Sequence, residues 1–136
     1  MAGDEKSKKL KRLVAVQRHI EKMAENELSM VIRERNEVAE ATVRTVGVMT
    51  SLDPLHRPLS RHYLERFSRL TSRDKQLGHL QRAQESRLAK ERKKGDRLEE
   101  KMKDAREAEQ RVADDNAVYD LVELTIALAP ADRQAR

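Results

Sequence analysis

The stretch Thr50-Ser-Leu-Asp-Pro54-Leu-His56-Arg-Pro58-Leu59 holds two of the three prolines in the 136-residue chain, and its reading decides the fold. Proline lacks a backbone donor and drives the residue before it out of the α region, so a helix stops there. On either side the sequence is poor in breakers and rich in Glu, Lys, Arg, Ala and Leu, the residues that lose least on becoming helical. The stretch therefore predicts a turn at 50–59 between helix one, about residues 5–49, and helix two, about residues 60–129. Helix two ends at Pro130 in this reading, and a short tail follows. Ser60 suits an N-cap, since its hydroxyl can accept from a first-turn amide. Gly47, Gly78 and Gly95 fall inside the helical pattern and weaken it by roughly 1 kcal/mol each relative to Ala. Period-two alternation persists nowhere, so no strand is expected.

Helices this long gain most of their stability by burying an apolar stripe. In helix one the stripe reads Leu10, Leu13, Gln17, Ile20, Ala24, Leu28, Val31, Val38, Ala41, Thr45 and Val48, with a hitch around Ala24–Leu28. Helix two repeats at strict sevens from Tyr63 through Leu70, Leu77, Gln84, Glu91, Leu98, Ala105, Val112 and Tyr119 to Ile126, with Phe67, Leu80, Leu88, Gly95 and Met102 between. A sustained seven-residue period is that of a left-handed coiled coil. Folded back on itself, the chain faces residues whose numbers add to a constant. Taking 108 sets Leu10 against Leu98, Val31 against Leu77 and Ala24 against Gln84. It leaves one poor layer, Glu34 opposite Asp74. The expected fold is all-α, a single antiparallel coiled-coil hairpin of two long helices with unequal arms.

The inequality matters because helix one runs out near Leu10. Roughly thirty residues of helix two continue alone, about 45 Å of helix. They end in Ala117-Val-Tyr-Asp-Leu-Val-Glu-Leu-Thr-Ile-Ala-Leu-Ala129, the most apolar segment of the chain. Charge divides the same way. Residues 60–111 carry sixteen Lys/Arg and ten Asp/Glu, whereas residues 112–129 carry four Asp/Glu and no base. An apolar, acidic helix end without a partner reads as a docking surface.

Composition excludes much else. Charged residues make up 39%, aromatic residues 2%, and cysteine is absent, so disulfides, thiolate metal sites and cysteine nucleophiles are ruled out. No apolar run reaches the roughly 18 residues of a membrane span. Glu99, Glu100, Asp104 and Glu107 interleave with Lys101, Lys103 and Arg106, the pattern of paired surface charges rather than convergent carboxylates. His56, His62, His19 and His79 are too few and too dispersed to suggest a zinc site. There is no phosphate-cradling glycine loop and no nucleophile elbow. No enzyme, metal or cofactor is expected. Lys90-Glu-Arg-Lys-Lys-Gly95 has the charge to touch phosphates, but acids are interspersed and no aromatic lies beside it to stack on a base, which argues against nucleic acid.

The layout resembles the FliJ family, the stalk proteins of flagellar type III export. The local likeness is Ser60-Arg-His-Tyr-Leu-Glu-Arg-Phe-Ser-Arg-Leu-Thr71, where Tyr63 precedes Phe67 by four residues and Leu70 takes a neighbouring aliphatic position. The resemblance implies a stalk that couples an export ATPase ring to a membrane export gate protein, with export chaperones as further partners. It places the gate contact at Tyr63, Phe67 and Leu70. The ring contact falls at the C-terminal tip, at Asp114, Asp115, Val118, Asp120, Leu121, Val122 and Leu128. The location implied is cytoplasmic, with peripheral association at the inner membrane also open. The chain departs from the family in its apolar tip, where members usually end Asp/Glu-rich. From composition and periodicity alone, a homo-oligomeric structural coiled coil or a regulatory adaptor unrelated to secretion stands as the alternative.

Overall fold

A computed structural model describes residues 2–51 and 57–134, with side chains over 5–51 and 58–129. Pro54 and His56 lie outside the described residues. Helix α1 spans Ala2–Met49, a 3-10 turn spans Arg57–Leu59, and helix α2 spans Ser60–Gln134. The end of α1 is closed by Thr50 N donating to Val46 O at 3.0 Å and Ser51 N donating to Val48 O at 3.1 Å. Helix α2 does not stop before Pro130. It continues through that residue to Gln134. Proline deletes one amide donor and crowds the carbonyl four residues back, a penalty confined to the last turns of a 75-residue helix.

The fold is an all-α antiparallel coiled-coil hairpin with unequal arms. Its contacts fall into two compact units, Arg18–Lys93 and the pairing of Met1–Gln17 with Lys94–Arg136.

Burial along each helix reveals the seam. In α1 the series Ser7, Leu10, Val14, Gln17, Glu21, Ala24, Leu28, Val31, Arg35, Val38, Thr42, Thr45 contains no exposed residue. Its steps alternate three and four without a break, which corrects the expected hitch near Ala24. In α2 the covered series runs Tyr63, Phe67, Leu70, Asp74, Leu77, Gln81, Gln84, Leu88, Glu91, Gly95, Leu98, Met102, Ala105, Glu109. Leu13 and Leu80, expected in the stripe, are instead 50% and 43% exposed. The seam passes one residue further along, through Val14 and Gln81.

Within Arg18–Lys93 the core is narrow. Ala24, Val31, Leu77 and Leu88 are its buried apolar residues, and Leu77 is the largest fully buried side chain among those described. Polar seam positions are held by specific bonds. Arg35 Nε donates to Asp74 Oδ1 at 3.0 Å and its Nη1 to Gln81 Oε1 at 3.1 Å. Arg73 Nη2 donates to Glu34. The expected poor layer is thereby resolved, since each carboxylate meets an arginine of the opposite arm rather than the other carboxylate. Arg35 also explains Gly78, which is buried. A Cβ there would lie 3.2 Å from Arg35 Nη2, so the glycine gives the guanidinium room against α2. Glu21, buried in the seam, is paired along α1 with Arg18 at 2.9 Å. Thr45, 4% exposed, returns its hydroxyl to Ala41 O at 2.8 Å. The pairs between arms remain 39–49% exposed, so each contributes about 0–1 kcal/mol. Stability rests on the few apolar layers, with the ion pairs fixing which layers meet.

In the other unit, Ser7 N donates to Glu109 Oε1 at 3.1 Å, bracing the start of α1 against α2. Ala105 is buried in the same unit. Every described residue from Gln110 to Ala129 is exposed.

Candidate docking surfaces

Where the opposing arm ends, the apolar residues of α2 do not. Val112, Val118, Tyr119, Leu121, Val122, Leu124, Ile126 and Leu128 are each 47–68% exposed. Sequence reading already singled out Val118, Leu121, Val122 and Leu128 here. Tyr119, Leu124 and Ile126 belong to the same surface. Between residues 117 and 129 the polar groups are the side chains of Asp120, Glu123 and Thr125 and the hydroxyl of Tyr119. At about 100° per residue, Asp120 and Glu123 share one face of the helix. Thr125 donates its hydroxyl to Leu121 O at 2.8 Å, which removes that donor from the surface. What remains is a helix apolar around most of its circumference with a single acidic line. A helix of that pattern is normally surrounded by protein. Asp114 accepts from Gln110 Nε2 at 2.9 Å, while Asp115 and Asp120 are exposed.

The second expected surface lies near the turn. The structure places Tyr63, Phe67 and Leu70 at consecutive seam positions, each partly buried. Their four-and-three spacing serves the hairpin, and only their rims face outward. Tyr63 makes an edge contact with His62, ring centroids 5.8 Å apart and planes at 62°. The more exposed apolar residues of this region are Leu59, Leu64, Val43 and Val46. Sequence reading missed them because none continues the seven-residue repeat.

A third surface, also missed, lies on α1. Leu13, Val16, Met23 and Met30 are 49–68% exposed, and Ile20 is partly covered. Leu13, Val16, Ile20 and Met23 recur at three- and four-residue steps on a face adjacent to the seam, and Met30 lies seven residues beyond Met23. The signal was present in the sequence, but the inner stripe had claimed Leu13 and Ile20. Lys9 and Arg12 flank Leu13 and Val16 around a shallow groove.

No three His, Cys, Asp or Glu side chains converge among the described residues. Nor is any described helix long and apolar enough to cross a membrane.

These features define a two-helix coiled-coil hairpin that presents extended helical surfaces, one of them an apolar extension beyond its own partner arm. No match is found when the chain is compared with protein-family models, curated proteins and solved structures.

Proposed function

We propose that this protein is a non-enzymatic coupling protein, a coiled-coil stalk of a type III export apparatus. The observation that carries the reading is the extension beyond Glu109, exposed throughout its described residues and apolar around most of its circumference from Ala117 to Ala129. Surrounding Val118, Leu121, Val122 and Leu128 contributes on the order of 1.5–3 kcal/mol each at full burial. The opening of an ATPase ring is an enclosing partner of that kind, and basic residues lining it would meet Asp114, Asp115 and Asp120. Beside the turn, the rims of Tyr63, Phe67 and Leu70, with Leu59 and Leu64 near them in sequence, offer the contact to a membrane export gate. Such a stalk acts mechanically. A hairpin seated in the ring favours some ring states over others by its differential contacts with them, and transmits that bias to the gate. Its place is the cytoplasmic face of the inner membrane, with the ATPase, the gate protein and export chaperones as partners.

The test is a chain truncated after Arg111. Circular dichroism should show the hairpin still folded, because no seam residue is removed. Stimulation of the cognate export ATPase should be lost. Full stimulation by the truncated chain would withdraw the tip from the coupling role.

A further inference from the structure

The exposed stripe on α1 and the exposed tip of α2 match one another. Along α1 the stripe runs Lys9, Leu13, Val16, Ile20, Met23. Along the tip, Asp114, Val118, Leu121, Thr125, Leu128 repeat the same four-three-four-three steps. The charges are opposite. Residues 6–22 carry seven Lys/Arg against one Glu, while residues 112–129 carry four acids and no base. Matching spacing lets two helices mesh along a common seam, and the sign difference favours the pairing while disfavouring tip against tip.

Within one chain the match cannot close. Ser7 already lies beside Glu109, and α2 runs onward from there, away from α1. A second copy brings the two surfaces together. Its tip, entering from the open end, runs in the same direction as α1 and lies along it as a third helix. We infer that the protein associates with a second copy of itself by reciprocal exchange of tips, the apolar tip of each chain lying on the Lys9–Met23 face of the other. Because the exchange is mutual, one two-fold axis satisfies both tips and closes the assembly at two chains. The exchange covers seven apolar side chains in each copy, four on the α1 face and three on the tip; at roughly 100 Å² apiece the two copies together bury about 1,400 Å², within the range of a stable interface. The steps align Leu13 with Val118, Val16 with Leu121 and Lys9 with Asp114.

This dimer does not depend on the coupling role. It occupies the tip when no other partner does.

The chain has no cysteine, so single cysteines report the register directly. Leu13→Cys and Val118→Cys chains are oxidised separately, then after mixing. The expected product is a mixed disulfide formed only in the mixture, with none when Leu13→Cys is mixed with Leu128→Cys, whose thiol lies about 15 Å further along the helix. Crosslinking of Val118→Cys chains alone would indicate tip-to-tip pairing and overturn the inference. So would the absence of crosslinks in every sample. Sedimentation of the full chain gives the second readout. The wild type should have the mass of two chains, less so as salt screens the charge match. Leu13→Glu should halve that mass at unchanged helicity, since Leu13 lies outside the core. A monomeric wild type would overturn the inference without touching the coupling role. Leu13→Glu leaves the tip intact, so ATPase stimulation by that variant separates the two.

Discussion

Replacing Leu77 by Ala is expected to lower the free energy of unfolding by about 2–5 kcal/mol. Leu77 is 1% exposed, and on the other arm Val31 is 8% exposed. Few layers of this hairpin are both apolar and closed, so the lost methyl groups have no neighbouring core to collapse onto them. The cost combines lost transfer free energy with an unfilled cavity. It is large against the 5–15 kcal/mol that holds a typical domain together. Urea unfolding followed by circular dichroism measures it as a lower midpoint at constant slope. A loss below about 1 kcal/mol would mean that solvent already reaches this layer.

The opposite sign is expected at Gln84. Its Oε1 is buried without a hydrogen-bond partner, at a partly buried position of the α2 seam. A buried acceptor left unmade costs about 1–3 kcal/mol. Gln84→Met keeps the length and flexibility of the side chain and removes the acceptor. The hairpin should therefore gain about 1–2 kcal/mol. The same denaturation experiment decides the matter, with the midpoint moving up rather than down. A destabilised Gln84→Met chain would show that the amide is satisfied in solution, and that the layer is wetter than its packing indicates.

The contrast between these two positions explains what the sequence disclosed. Pro58 and its surroundings mark the turn because backbone chemistry at proline is local. Tyr63, Leu70, Leu77 and Leu98 mark one line of the α2 seam because they are apolar at sevens. The other line was harder to see. Glu21, Arg35, Asp74 and Gln81 occupy it, and an apolar reading slides off them onto Leu13, Ile20 and Leu80. In a two-helix hairpin the seam is open at both flanks. A charged side chain there reaches solvent or an arginine of the other arm, as Asp74 reaches Arg35 at 3.0 Å. Apolarity is therefore not demanded of every seam position.

The candidate surfaces divide on the same logic. The tip was legible because its bases stop where its apolar residues thicken. The grouping of Tyr63, Phe67 and Leu70 was legible, but the seven-residue line they follow is the hairpin's own seam, and their inner faces are spent on it. The stripe through Leu13, Val16 and Met23 was hidden by the assumption of one apolar face per helix, whereas α1 carries two.

Everything proposed for the tip follows from the pairing of the arms within one chain, and one crosslink tests that pairing. Val31→Cys and Leu77→Cys are combined in a single chain and oxidised at low concentration. The expected product is an internal disulfide in a species of one-chain mass, lost when either cysteine is omitted. If oxidation joins only separate chains, the arms pair between molecules, and the tip is not the free end of a hairpin.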